Sequence, residues 1–228
     1  SNDCKAAEKK LVKAASKDYK KFLASCPAPD APGSKQVTAL MTITGLIDAP
    51  KADKEFLSIN GAQGFSTFYG YYMLEAMAMA GNYQGALDVI REYWGAMIDL
   101  GATSFWEDFD INWIPNATPI DELVPEGKKD IHGDCGAYCY VGFRHSLCHG
   151  WASGPTSWLS RHILGVEVIE PGCRQVRITP HLGDLQWVKG TFPTPYGELQ
   201  IYHEKQANGN VISVSYTHLR AHETGRNL

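Results

Sequence analysis

Apolar positions recur at helical spacing over roughly the first 165 residues and at a spacing of two thereafter. Leu11, Val12, Ala15, Tyr19, Phe22 and Leu23 predict a first helix, which Pro27, Pro29 and Pro32 interrupt. Val37, Leu40, Met41, Thr44 and Ile47 form a second stripe, running into Asp48-Ala49-Pro50. Phe68, Tyr71, Tyr72, Ala76 and Met79 predict a third helix, closed by Gly81-Asn82. Ala86, Val89, Ile90, Tyr93, Trp94 and Met97 predict a fourth, closed by Leu100-Gly101. So short a link makes the last two an antiparallel helical hairpin. Helical character resumes near Phe143. A further helix starts after Ser153-Gly154-Pro155, carries Trp158, Leu159, His162 and Ile163, and stops at Gly165.

From Val166 the alternation is that of strands: Val176 and Ile178, then Leu199, Ile201 and His203. Pro171-Gly172, His181 to Asp184, Pro193-Thr194-Pro195 and Asn208-Gly209 separate them, and Asn208-Gly209 is a hairpin signal. A domain boundary is therefore expected near residue 165, with a fold that is mainly α and then β. Residues 101–142 fit neither spacing. They are rich in Asp, Pro, Gly and aromatics, and an ordered loop of that length commonly carries function.

A chain of 228 residues that is 44% hydrophobic is able to bury a sizeable core. Its net charge of −4 gives no basic footprint for nucleic acid or an anionic membrane surface. No apolar run reaches the roughly 18 residues of a membrane span, and Ser1 onward lacks the pattern of a signal peptide. Six Cys, at positions 4, 26, 135, 139, 148 and 173, are scattered rather than arranged as a dense disulfide framework, so the redox compartment stays open. Asn116-Ala117-Thr118 matches a glycosylation acceptor, a triplet that also arises by chance.

Within the loop, Gly101 to Asp110 sets carboxylates directly beside Trp106, Phe105 and Phe109. Ring faces stack on the apolar face of a pyranose while carboxylates move protons to and from a glycosidic oxygen and water, which makes Glu107 the first catalytic candidate. From spacing alone the block also fits solvated acids capping a helix. Asp108 and Asp110 are candidates to assist Glu107 or to bind hydroxyls; Glu122, Glu126 and Asp134 rank below them. Trp106, Trp113 and Trp151 are candidate sugar platforms, each with core packing as the alternative role, and His132 and His149 are candidate hydroxyl partners. His145, Cys148 and His149, with Cys135 and Cys139 nearby, lack the tight paired spacing of tetrahedral zinc, so no metal and no cofactor is expected.

Several blocks together resemble the C-terminal part of a bacterial α-L-rhamnosidase, of the six-hairpin glycosidase superfamily and the inverting glycoside hydrolase family seventy-eight. They are Gly64 to Tyr72 (GFSTFYGYY), Gly101 to Asp110, His132-Gly133-Asp134, Ser146 to Pro155 (SLCHGWASGP), Pro180 to Leu185 and Pro193 to Gly197. The resemblance runs in order from about residue 35 to about residue 205. It implies the C-terminal half of an (α/α)6 barrel over 1–165, followed by the start of an antiparallel β-sandwich over 166–213. It implies a general base at Glu107 and a general acid on an earlier acidic segment that is absent from these residues, so that the fragment alone would be inactive. Inverting enzymes hold the two carboxyl groups roughly 6.5–9.5 Å apart to admit the attacking water.

The implied substrate is terminal α-L-rhamnose on a glycoside or polysaccharide, whose C6 methyl suits an apolar wall. Periplasmic or secreted location is what the family implies, and a cytoplasmic one is compatible; the oligomeric state is open. Residues 214–228 resemble translated sequencing adapter and are expected to have no place in the fold. Two other readings remain. One is a non-catalytic carbohydrate-binding or helical scaffold module, against which counts the lack of a fixed repeat period. The other is a different six-hairpin activity, such as an unsaturated glucuronyl hydrolase or a lyase; a uronate calls for paired cations, and Arg144 is the one nearby candidate.

Overall fold

The computed structural model describes residues 33–123, 126, 146–209 and 211–217, together with scattered positions between 9 and 21. The first stripe, 11–23, lies largely outside them. So do His132, Asp134, Cys135, Cys139, Arg144 and His145, and the helical character expected near Phe143. The chain divides into two compact units, Ser1–Pro155 and Thr156–Leu228.

The N-terminal unit is helical. Helix α1 spans Ser34–Ile43, and α2, Ala49–Ala52, continues into a π-helical turn at Asp53–Leu57. Helices α3, Gly70–Met79, and α4, Tyr83–Asp99, follow. Caps fix the starts: Asp48 accepts from the Lys51 amide at 3.2 Å, and Asn82 from the Gly85 amide at 3.0 Å. Helix α4 buries the face read from its sequence, with Ala86, Val89, Tyr93, Trp94 and Met97 in the core. The other two stripes require correction. Helix α1 buries Lys35, Thr38, Ala39 and Thr42 and exposes Leu40, while α3 buries Met73, Leu74 and Met77 and exposes Met79. Satisfied polar groups explain α1: the Thr42 hydroxyl donates to the Thr38 carbonyl within the helix at 2.8 Å, and the Lys35 ammonium to the distant Gly61 carbonyl at 2.7 Å. Gly70 is required where α3 begins, because a Cβ there would lie 2.7 Å from the Trp94 ring.

The C-terminal unit is an antiparallel β structure. Strands β1, Val166–Glu170, and β2, Gln175–Ile178, form one hairpin. Strands β3, Trp187–Thr194, β4, Gly197–Lys205, and β5, Val211–Thr217, form a three-stranded sheet in that order. Leu164, Val166, Leu199 and Ile201 make the core, with Val176, Ile178, Val188 and Phe192 packed on it, so both sheets contribute to one interior. His203 is fully buried, its ring nitrogens 2.8 Å from the Ser213 hydroxyl and 3.0 Å from the Leu164 carbonyl.

Two expectations are revised here. The compact units divide at Pro155, and the π-helical turn Leu159–Ile163 packs on β1 and β3. Pro193 and Thr194 lie inside β3, not in a separating turn; Thr194 and Gly197 pair across the tight connection. Strand pairing also does not stop at Val214. Val214 pairs with Tyr202 and Thr217 with Leu199, so 214–217 complete a ladder, while 218–228 lie outside the described residues. Asn208-Gly209 does make the β4–β5 connection, with Gly209 at φ 82°.

Candidate active site

The segment after α4 has no helix or ladder to hold it between Gly101 and Asp110, and it is fixed instead by hydrogen bonds to distant residues. Glu107 is at their focus. Its amide donates to the Ser146 carbonyl at 2.8 Å, and its carboxylate Oε2 accepts from the Ser146 amide at 2.8 Å. Its carbonyl accepts from the Trp151 indole Nε1 at 2.8 Å and from the Thr67 hydroxyl at 2.5 Å. His149 Nδ1 lies 3.9 Å from the same carboxylate oxygen, and the His149 amide donates to the Phe105 carbonyl at 2.7 Å. The Glu107 side chain is 17% exposed, shielded but reachable.

Aromatic rings border this carboxylate. Trp151 is 47% exposed, its ring 4.3 Å from His149 and 5.7 Å from Phe68. Phe68 and Tyr69, both partly exposed, extend the aromatic surface, with their rings 5.1 Å apart. Such a surface next to a carboxylate suits a ring that offers an apolar face and hydroxyls.

The other candidates divide. Trp106 is fully buried, its ring 5.9 Å from Phe109, which in turn stacks edge-on against Tyr93. Its placement is therefore a correction: Trp106 packs the interior of the unit and presents no face to a ligand. The Tyr93 hydroxyl donates to the Phe109 carbonyl, anchoring the loop from beneath. Asp108 Oδ1 accepts from the next amide, Phe109, at 2.9 Å. Asp110 Oδ1 caps the 3-10 turn Ile111–Asn116, accepting from the Asn112 amide and side chain, each at 2.8 Å. Trp113 is half-buried on that turn, 6.2 Å from Phe109. His132 lies outside the described residues, and Glu122 and Glu126 are exposed. Cys148 is an exposed free thiol at 3.4 Å from the Ser104 hydroxyl.

The sequence did not single out Ser146 or Thr67. Both are small hydroxyl residues with no periodic signal, and their roles come from backbone and hydroxyl bonds to a residue 39 or 40 positions away.

Residues 165–216 match the family described as the bacterial α-L-rhamnosidase C-terminal domain. A rhamnosidase of family 78 from Bacillus sp. GL1 is 26% identical over 79% of this chain, with a TM-score of 0.60. By these matches the chain is similar to bacterial α-L-rhamnosidases. An α-L-rhamnosidase of Streptomyces avermitilis, solved in complex with L-rhamnose, is 18% identical over 86% of the chain with a TM-score of 0.58, a likeness of fold. The chain spans 17% and 18% of the length of those two proteins. No match was found among the curated proteins.

Proposed function

We propose that this chain forms the late part of the (α/α)6 catalytic barrel and the start of the β-sandwich of an inverting α-L-rhamnosidase, with Glu107 as its general base. The observation that carries the reading is the Glu107 carboxylate, pinned by the Ser146 amide and set beside His149 and the open face of Trp151. A base needs a fixed carboxylate that a water can still reach, and a sugar needs an apolar face to settle on. The L-rhamnose bound by the Streptomyces avermitilis protein supports L-rhamnose as the sugar. In this reading Trp151 and His149 hold the rhamnose, Asp108, Asp110 and Trp113 line its surroundings, and Trp106 supports the loop from the core. The general acid comes from the earlier barrel segment that the resemblance implies.

The test is Glu107→Gln in the rhamnosidase that includes the earlier barrel segment. Loss of a general base costs roughly 10²–10⁴-fold in turnover, so hydrolysis of an aryl α-L-rhamnoside is expected to fall by that factor while L-rhamnose binding persists. Turnover within about tenfold of the parent would overturn the assignment.

A further inference from the structure

We infer that Thr67 is a positioning residue: with Trp151 it forms a two-donor clamp on the Glu107 carbonyl that sets where the Glu107 carboxylate sits. A carbonyl oxygen has two lone pairs, and here the Thr67 hydroxyl and the Trp151 indole N–H supply two donors. Thr67 is 3% exposed, so its hydroxyl bonds within the protein. It stands in the turn just before α3, whose first residue, Gly70, is seated against Trp94, and the Trp94 indole N–H donates to the Ala152 carbonyl at 3.1 Å. The Thr67 end of the clamp is thereby tied to the packed helices, and the Trp151 end to the 146–152 loop.

The consequence is geometric. With its carbonyl held by Thr67 and Trp151 and its amide held by the Ser146 carbonyl, the Glu107 backbone has little freedom to rotate. The carboxylate then meets the Ser146 amide and His149 from a fixed base. Removing the Thr67 donor frees the carbonyl to tilt and lets the carboxylate drift from its place. The Ser146 amide loses its steady acceptor at the same time. The catalytic part of this inference rests on Glu107 acting as the general base, whereas the clamp itself does not.

The test compares Thr67→Val, which keeps the shape and removes the donor, with Thr67→Ser, which keeps the donor. Amide hydrogen exchange on the full chain is read well below the melting temperature. In Thr67→Val the Ser146 and Glu107 amides are expected to exchange about tenfold faster, with α4 amides such as Tyr93 unchanged, and Thr67→Ser is expected to restore the parent pattern. Hydrolysis of an aryl α-L-rhamnoside by the same variants of the rhamnosidase that includes the earlier barrel segment gives the second readout. Misplacement of a base costs roughly tenfold to a hundredfold in kcat with KM held within about twofold. Unchanged exchange at Ser146 and Glu107 would overturn the clamp, as would acceleration spread evenly over α3 and α4. Absence of hydrolysis by that longer parent enzyme counts against the proposed function alone, and exchange then decides the clamp by itself.

Discussion

The two units keep their shape by different kinds of bond. In the C-terminal unit, β3, β4 and β5 are tied rung by rung from Trp187 to Thr217, and the apolar side chains of both sheets meet in one interior. In the N-terminal unit the helices pack conventionally, but 101–110 and 146–153 have no ladder. Two backbone bonds, Glu107 to Ser146 and His149 to Phe105, join them, and single side chains do the rest: Thr67 and Trp151 on the Glu107 carbonyl, Tyr93 on Phe109, Trp94 on Ala152. A ladder spreads its stability over many equivalent bonds, so losing one alters little geometry. A loop addressed by individual donors holds a few atoms accurately and is sensitive to each donor. That contrast explains why the candidate chemistry sits in the N-terminal unit.

Breaking the ladder is expected to give the larger effect on stability. Shortening the chain from Val214 removes the rungs from Val214–Tyr202 to Thr217–Leu199, leaving β4 an edge beside the core residues Leu199 and Ile201. Relative to a chain ending at Thr217, the melting temperature of the C-terminal unit is expected to fall by roughly 5–10 °C. A shift within about 2 °C would show that these residues contribute no more than a frayed terminus.

A smaller effect sharpens the comparison from the helical side. Lys35, 4% exposed, has its ammonium pKa lowered to about 8 by burial, partly offset by Glu92. The folded-state value lies below the ordinary 10.5, so between about 8 and 10.5 the unfolded chain binds the extra proton. The N-terminal unit therefore gains stability as pH rises through that window, and below it the full cost of a buried ammonium is present. Urea midpoints of the parent and Lys35→Met, measured from pH 7 to 10.5, are expected to converge or cross as pH rises. A constant difference across the window would contradict the account.

Legibility in the sequence followed the same division. The stripe of α4 and the alternation Leu199, Ile201, His203 were readable because apolar side chains there face the interior. On α1 the burial of Thr38, Thr42 and Lys35 depends on hydrogen bonds that no periodicity encodes, and on α3 Ala76 is buried as expected while Met79 is exposed. Glu107, His149 and Trp151 were legible as types suited to sugar chemistry, and the structure brings these three together. Trp106 had the same signal and packs in the core, because a Trp beside acids reads alike whichever way its ring turns. Thr67 was silent, as one hydroxyl among many whose role is set by a partner 40 positions away.

The sugar site is proposed on the loops of the N-terminal unit, around Glu107. Titrating the full chain with L-rhamnose while following backbone amides and indole N–H signals by NMR tests it directly. The Trp151 indole and the Ser146 and His149 amides are expected to move in a saturable way, while the β4 amides from Leu199 to Lys205 stay still. Saturable shifts confined to the C-terminal unit, as at its surface cavity of about 310 Å³ lined by Arg161, Glu167 and Phe192, or no response at Trp151, would contradict it.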